Sequence, residues 1–150
     1  KLQSKKHGAL GMGYTYGGHP VSCAVALETL KIYEERNILD HVRSVAPHFQ
    51  ARLAEFGTSP IVGEARGVGL IGALEIVMDK STRHQYPPEV KAGAQIAAAA
   101  LAKGLIVRAL PGDVIGICPP LIITKEQIDE LFDALASAID DTANILKQAA

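Results

Sequence analysis

Apolar residues recur every three or four positions in four segments, which is the spacing of an amphipathic helix. The predicted helices begin near Pro20, Ile38, Val90 and Thr124. Proline suits a first helical position because its missing N–H has no partner there. Pro47 falls inside the second helix and removes one backbone donor, so we expect a kink or a break at that point. The stripe of the last helix follows a capping box at residues 124–127.

Between these helices the pattern changes to β-branched and glycine-punctuated runs. Residues 61–62 and 67–77 predict a strand pair or one long bent strand. Residues 105–109 and 114–117 predict an antiparallel hairpin, because a Leu-Pro-Gly-Asp turn sequence joins them. The sequence therefore predicts an α+β fold in which helices pack on a small, mostly antiparallel sheet.

The division of the chain follows from its glycine content. Residues 1–19 are rich in glycine and lack an apolar period, so they predict an irregular lead-in or loop. Residues 20–150 predict one small domain, with the first helix bridging the two parts. Because the chain opens on Lys1 rather than methionine, we expect it to be a piece of a longer protein.

Charge and cysteine content exclude several classes of function. The chain has 15 basic and 16 acidic residues scattered along its 150 positions, so it has no electrostatic footprint for nucleic acid or an anionic membrane. Cys23 and Cys118 lie in apolar runs without the spacing of a metal site, and we expect them to be buried free thiols. Free thiols are typical of a reducing compartment, which favours a cytoplasmic protein.

Two features are candidates for chemistry. In the loop at residues 11–20, glycines let backbone amides approach a ligand, Thr15 offers a hydroxyl, and the helix at Pro20 points its positive end toward the loop. This arrangement is typical of a phosphate site, although a plain glycine-rich connection has the same composition. The second feature is Arg108, the single charge in an apolar strand. Its guanidinium can grip a carboxylate with two hydrogen bonds, or it can lie on the solvent face of an edge strand.

Four motifs in order resemble the class III aminotransferases, in particular the ω-amino acid and amine:pyruvate branch. The similarity covers nearly the whole chain, from about Gly13 to about Thr142. The motifs are Gly-Tyr-Thr-Tyr-Gly-Gly-His-Pro at 13–20 with Ala-Val-Ala-Leu at 24–27, Gly-Glu-Ala-Arg-Gly-Val-Gly-Leu at 63–70, Gly-Leu-Ile-Val-Arg at 104–108, and Pro-Pro-Leu-Ile-Ile-Thr at 119–124. Gly17 stands where many relatives have serine, which leaves the preferred amino donor open.

The resemblance implies the type I pyridoxal-phosphate fold, with this chain as the end of the large domain and the C-terminal small domain. It implies that Thr15, with Tyr14 beside it, binds the phosphate of pyridoxal 5'-phosphate in the neighbouring subunit of a homodimer. It also implies that Arg108 binds the substrate carboxylate and swings aside for an amine without one. The lysine that binds the cofactor covalently lies upstream in the family, so no catalytic residue is assigned and the chain alone is expected to be inactive.

Three readings of the activity follow from the resemblance. The first is transfer of an amino group from an amine or ω-amino acid to pyruvate or a related keto acid. The second is another class III reaction, aminomutase or decarboxylase, because the missing upstream part holds most of what separates them. The third is a non-catalytic α+β dimerisation or regulatory module.

Overall fold

The computed structural model describes residues 13–148, and the first twelve residues of the predicted lead-in lie outside this range. The chain divides into two compact units, residues 1–37 and residues 38–150. In the first unit a turn leads into helix α1, Pro20–Glu35, which begins at the predicted proline. None of the residues of α1 is buried, although its apolar stripe predicts a packed face.

The second unit contains three helices and four strands. Helix α2 spans Ile38–Glu55 and is followed by a short 3₁₀ helix, Phe56–Thr58. The remaining elements, in chain order, are β1 Val62–Val68, β2 Ile71–Ile76, α3 Ala92–Ala102, β3 Arg108–Leu110, β4 Val114–Ile117 and α4 Lys125–Gln148. This order confirms the predicted α+β fold.

The four strands form one antiparallel sheet in the order β1-β2-β4-β3, so β1 and β3 are its edges. Side chains alternate between its faces. On β4, Ile115 and Ile117 are buried while Val114 and Gly116 are only partly so. The buried face carries the helices, and we call the opposite face, to which Gly116 belongs, the open face.

The core lies where the helices meet the buried face of the sheet. Phe132 of α4 packs against Phe49 and Phe56, with ring centroids 5.0 and 5.7 Å apart. Leu53 of α2 contacts the sheet at Gly67 and Gly72, which are paired across β1 and β2. A Cβ atom added at either glycine would lie 2.8 or 3.0 Å from Leu53 Cδ2. The two glycines therefore set how closely α2 can approach the sheet.

Capping residues and prolines in the sequence predicted most of the helix ends. The capping box is confirmed, because the Thr124 N–H donates to Gln127 Oε1 at 3.0 Å and the Gln127 N–H donates to Thr124 Oγ1 at 3.3 Å. Of the kink or break expected at Pro47, the break is wrong, since α2 is continuous through the proline, and the kink stays a prediction. A hydrophobic face anchored in the core on both sides of the proline offsets the loss of one hydrogen bond.

The burial predicted for the two cysteines is also wrong. Both Cys23 and Cys118 are exposed. Cys23 lies on α1, where no residue is buried, and Cys118 follows Ile117 on the open face of the sheet. An apolar run therefore did not guarantee burial, because neither segment packs a helix over the cysteine side. Between residues 13 and 148 no helix combines the length and the apolar character that a bilayer span needs.

Helix α3 is capped by a residue distant in sequence. Lys91 occupies its N-cap position without a side-chain hydrogen bond, and the Gly93 N–H instead donates to Asp113 Oδ1 at 2.9 Å. We expect Asp113→Ala to lower the free energy of unfolding by about 1–2 kcal/mol, because the cap is lost and Asp113 has a positive φ of 52°. Asp113→Asn keeps an acceptor and tolerates this φ, so its loss should be well below that of alanine in urea denaturation. Equal losses for both variants would contradict the capping role.

Candidate functional site

The first candidate group, Arg108, lies on edge strand β3 with its side chain on the open face of the sheet. It pairs with Gly116 of β4, which in turn pairs with Ala73 of β2. Paired residues of neighbouring strands share a face, so Arg108 is followed across the sheet by a glycine and an alanine. Arg108 is exposed, and within residues 13–148 its guanidinium has no hydrogen bond or ion pair.

A cavity of about 610 Å³ lies over this part of the open face. Most of its lining is apolar, and among the described residues that line it Arg108 alone carries a formal charge. The lining residues are Ile71, Gly72, Ala73, Ile106, Val107, Arg108, Leu110, Gly116, Ile117 and Cys118. An unpaired guanidinium at the rim of an apolar cavity suits a ligand that has a carboxylate at one end and a short alkyl part.

The other charged residues of the open face are paired with one another. Arg66 of β1 stands in the same cross-strand row as Arg108, at the far edge of the sheet. Its Nη1 atom lies 3.1 Å from Glu64 Oε2 and 3.7 Å from Glu75 Oε2. Arg66 is thus neutralised by two carboxylates, whereas Arg108 keeps its donors available for a ligand.

The second candidate group, Thr15 with Tyr14, lies in the first compact unit. The Gly17 N–H donates to the Tyr14 carbonyl at 2.8 Å and closes a turn that presents Thr15 to solvent. The turn runs directly into α1, whose first hydrogen bond goes from the Cys23 N–H to the His19 carbonyl at 2.9 Å. The backbone N–H groups of residues 21 and 22 precede this ladder, and the first turn carries no acidic residue.

This donor set fits a phosphate group. Among the described residues the Thr15 hydroxyl and the first amides of α1 have no hydrogen-bond partner, and the first turn carries no acidic residue, which favours an anion at the start of the helix. Within residues 13–148 no lysine lies in this turn, so the turn offers no amine for a covalent link to the cofactor. The turn therefore fits only the phosphate end of pyridoxal 5'-phosphate. In the part of the chain that the structure describes, no cluster of His, Cys, Asp or Glu could hold a metal ion.

Sequence reasoning did not identify the neighbours of Arg108. Gly116 and Leu110 line the cavity with it, and no motif points to them. The register of the hairpin is the signal that could have found them. Three residues, 111–113, connect Leu110 to Val114, and a connection of fixed length sets Arg108 opposite Gly116.

Comparison with known proteins places the chain in a family. A family model described as aminotransferase class-III matches residues 3–139. The chain is 47% identical over 146 residues to "Gamma aminobutyrate transaminase 3, chloroplastic" from Solanum lycopersicum, covering 97% of this chain and 28% of that protein. It is 46% identical over 140 residues to "Probable gamma-aminobutyrate transaminase 3, mitochondrial" from Oryza sativa subsp. indica, covering 93% of this chain and 27% of the relative.

Solved structures show the same similarity. One from a study of the directed evolution of transaminases by ancestral reconstruction has a TM-score of 0.85 and 44% identity, with 94% of this chain and 31% of that chain covered. The PMP-bound aminotransferase from Vibrio fluvialis has a TM-score of 0.82 and 35% identity, with 95% and 31% covered. The chain thus spans less than a third of the length of these relatives. The match of the family model over most of the sequence shows that this chain belongs to the class III aminotransferases, which use pyridoxal phosphate.

Proposed function

We propose that this chain is the C-terminal part of an enzyme that transfers an amino group from an amine or ω-amino acid to pyruvate or a related keto acid. The observation that carries the proposal is the guanidinium of Arg108, which has no partner within residues 13–148 and lies at the rim of an apolar cavity. Within the domains proposed from the sequence, residues 1–19 come from the large domain and residues 20–150 form the small domain. We call the protein in which this chain is joined to the upstream segment the complete enzyme.

Arg108 would bind and orient the carboxylate of the keto acid through two parallel N–H···O hydrogen bonds. The apolar lining of the cavity would contact the alkyl part and exclude water from the salt bridge, which strengthens it. When the donor is an amine without a carboxylate, the exposed side chain is free to turn away, because no partner among the described residues holds it. Arg108 would thus allow one site to accept both kinds of substrate.

The Thr15 hydroxyl would donate a hydrogen bond to the cofactor phosphate in the neighbouring subunit, with Tyr14 beside it. The bound cofactor supplies the electron sink that transamination needs. This assignment implies a homodimer in the complete enzyme, since Thr15 would serve the partner's site. In class III aminotransferases the lysine that binds the cofactor lies upstream of the Gly-Tyr-Thr-Tyr motif, so we expect the 150-residue chain with added cofactor to show no amino transfer.

Replacing Thr15 tests the phosphate contact. We expect Thr15→Ala in the complete enzyme to raise the dissociation constant of the cofactor about tenfold, because a hydrogen bond to a charged group contributes about 1.5 kcal/mol or more. Thr15→Ser keeps the hydroxyl and should change the constant less than about threefold. Equilibrium dialysis of the cofactor measures both. An alanine variant that holds the cofactor as well as the unsubstituted enzyme would exclude the contact.

The names of the relatives favour one class of donor. Two relatives that match over 93% or more of the chain are described as γ-aminobutyrate transaminases, and γ-aminobutyrate is an ω-amino acid. The aminomutase and decarboxylase alternatives stay open. Transfer of a labelled amino group from the donor to pyruvate distinguishes them from a transaminase, because neither delivers an amino group to a keto acid. The same names place those relatives in chloroplasts or mitochondria, so a cytoplasmic location for this chain is a proposal that fractionation must test.

A further inference from the structure

Gly116 stands directly opposite Arg108 on the open face of the sheet. The next residue of the same row is Ala73, so the surface beside Arg108 carries no side chain and then a single methyl group. A branched residue would be usual on such a strand, as at Val114. Gly116, which lies opposite the arginine proposed to bind the carboxylate, is therefore the most open position of the row.

The Leu110 side chain covers part of the space above Gly116. Leu110 lies two residues after Arg108 on β3, on the same face, and is half-buried. A Cβ atom added at Gly116 would lie 3.3 Å from Leu110 Cδ1 and 3.8 Å from Leu110 Cγ. Leu110 therefore lies flat over the bare backbone of Gly116, and both residues line the cavity that Arg108 borders.

From this contact we propose that Gly116 and Leu110 together determine the size of the alkyl group accepted next to the carboxylate. The proposal rests on the proposed function of Arg108 and specifies it. Gly116 is a positioning residue, because it acts through Leu110: with no side chain at 116, Leu110 stays down on the sheet and leaves the cavity open. A methyl group at 116 is closer to Leu110 Cδ1 than ordinary van der Waals contact, so Leu110 must lift into the cavity.

A double-mutant cycle in the complete enzyme tests this mechanism. We expect Gly116→Ala to lower kcat/KM for 2-oxopentanoate about tenfold while changing kcat/KM for pyruvate less than about twofold, since excluding a methylene from an apolar pocket costs roughly tenfold or more. In the Leu110→Ala background the effect of Gly116→Ala on 2-oxopentanoate should disappear, because no side chain is left to lift.

Two further variants distinguish a change in the cavity from a folding defect. Gly57→Ala is the matched control, because Gly57 has open space around it and, like Gly116, no positive φ. It should leave both keto acids unaffected. Leu110→Ala alone should raise the ratio of kcat/KM for 2-oxopentanoate over pyruvate about threefold, so the proposal stays testable even if Gly116→Ala does not fold.

The outcomes separate this proposal from the one on which it rests. An unsubstituted complete enzyme that transfers no amino group to pyruvate would overturn both. Transfer to pyruvate with an unchanged ratio between the two keto acids in Gly116→Ala would overturn only the role of Gly116. An equal effect of Gly116→Ala with and without the Leu110 side chain would show that Leu110 does not transmit it, and would also overturn the proposal.

Discussion

Replacing Arg108 by alanine in the complete enzyme is expected to lower kcat/KM for pyruvate about 100-fold. Two charge-assisted hydrogen bonds from one guanidinium contribute about 2–3 kcal/mol, and each 1.4 kcal/mol is a factor of ten. The half-reaction of an amine without a carboxylate should change less than about threefold, because that substrate offers nothing for Arg108 to bind. Stopped-flow measurement of each half-reaction separately gives both values.

Two controls make this result specific. Arg108→Lys keeps the charge but loses the planar fork, so we expect an intermediate loss of about tenfold for pyruvate. Arg66→Ala removes an arginine from the same face and row, but one that is already paired with Glu64 and Glu75. It should leave both half-reactions unchanged. Equal losses for the carboxylate and carboxylate-free substrates in Arg108→Ala would mean that Arg108 supports the structure rather than the substrate.

The largest effect on stability is expected at Phe132. Its side chain is fully buried and contacts the rings of Phe49 and Phe56, so it joins α4 to α2 and to the 3₁₀ helix. We expect Phe132→Ala to lower the free energy of unfolding by about 3–5 kcal/mol through lost burial and the cavity that remains. Domains of this size are stable by about 5–15 kcal/mol in total, so the variant should be close to unfolded at 37 °C.

The matched control for Phe132 lies on the same helix. Ile145 is 57% exposed, so Ile145→Ala removes an apolar side chain of α4 that takes little part in the core. Its effect should stay within about 1 kcal/mol. Urea denaturation of the 150-residue chain measures both variants. A loss below about 1.5 kcal/mol for Phe132→Ala would show that the core does not depend on this contact.

Periodicity and caps were sufficient to predict the helices and the fold class. The start of α1 at Pro20 and the capping box of α4 follow from chemistry within a few residues, so the sequence specifies them locally. The cap of α3 by Asp113 joins positions 20 residues apart, and no local pattern contains it. Pro47 and the two cysteines show the same limit, because their surroundings depend on which faces of the fold are covered.

The candidate site divides in the same way. The sequence identifies Arg108 as a candidate because one charge interrupts an apolar strand, and the register of Arg108 follows from the hairpin. Within the described part of the chain Arg108 has no partner whereas Arg66 has two, and this difference depends on which carboxylates stand across the sheet. The glycines around Thr15 indicate it as a candidate, and the turn that presents it is formed by residues next to it in sequence. The lining of the cavity could not be predicted without the assembled sheet, because its residues come from β2, β3, β4 and the residues that adjoin β3 and β4.

Transfer of a labelled amino group tests the central claim most directly. The complete enzyme is incubated with an ¹⁵N-labelled ω-amino acid and pyruvate, and the alanine formed is examined by mass spectrometry. We expect ¹⁵N-alanine in amounts equal to the donor consumed, and about 100-fold slower formation with Arg108→Ala. Donor consumed with release of carbon dioxide, or rearranged without any labelled alanine, would contradict the assignment of this chain to a transaminase that uses Arg108 to hold its keto acid.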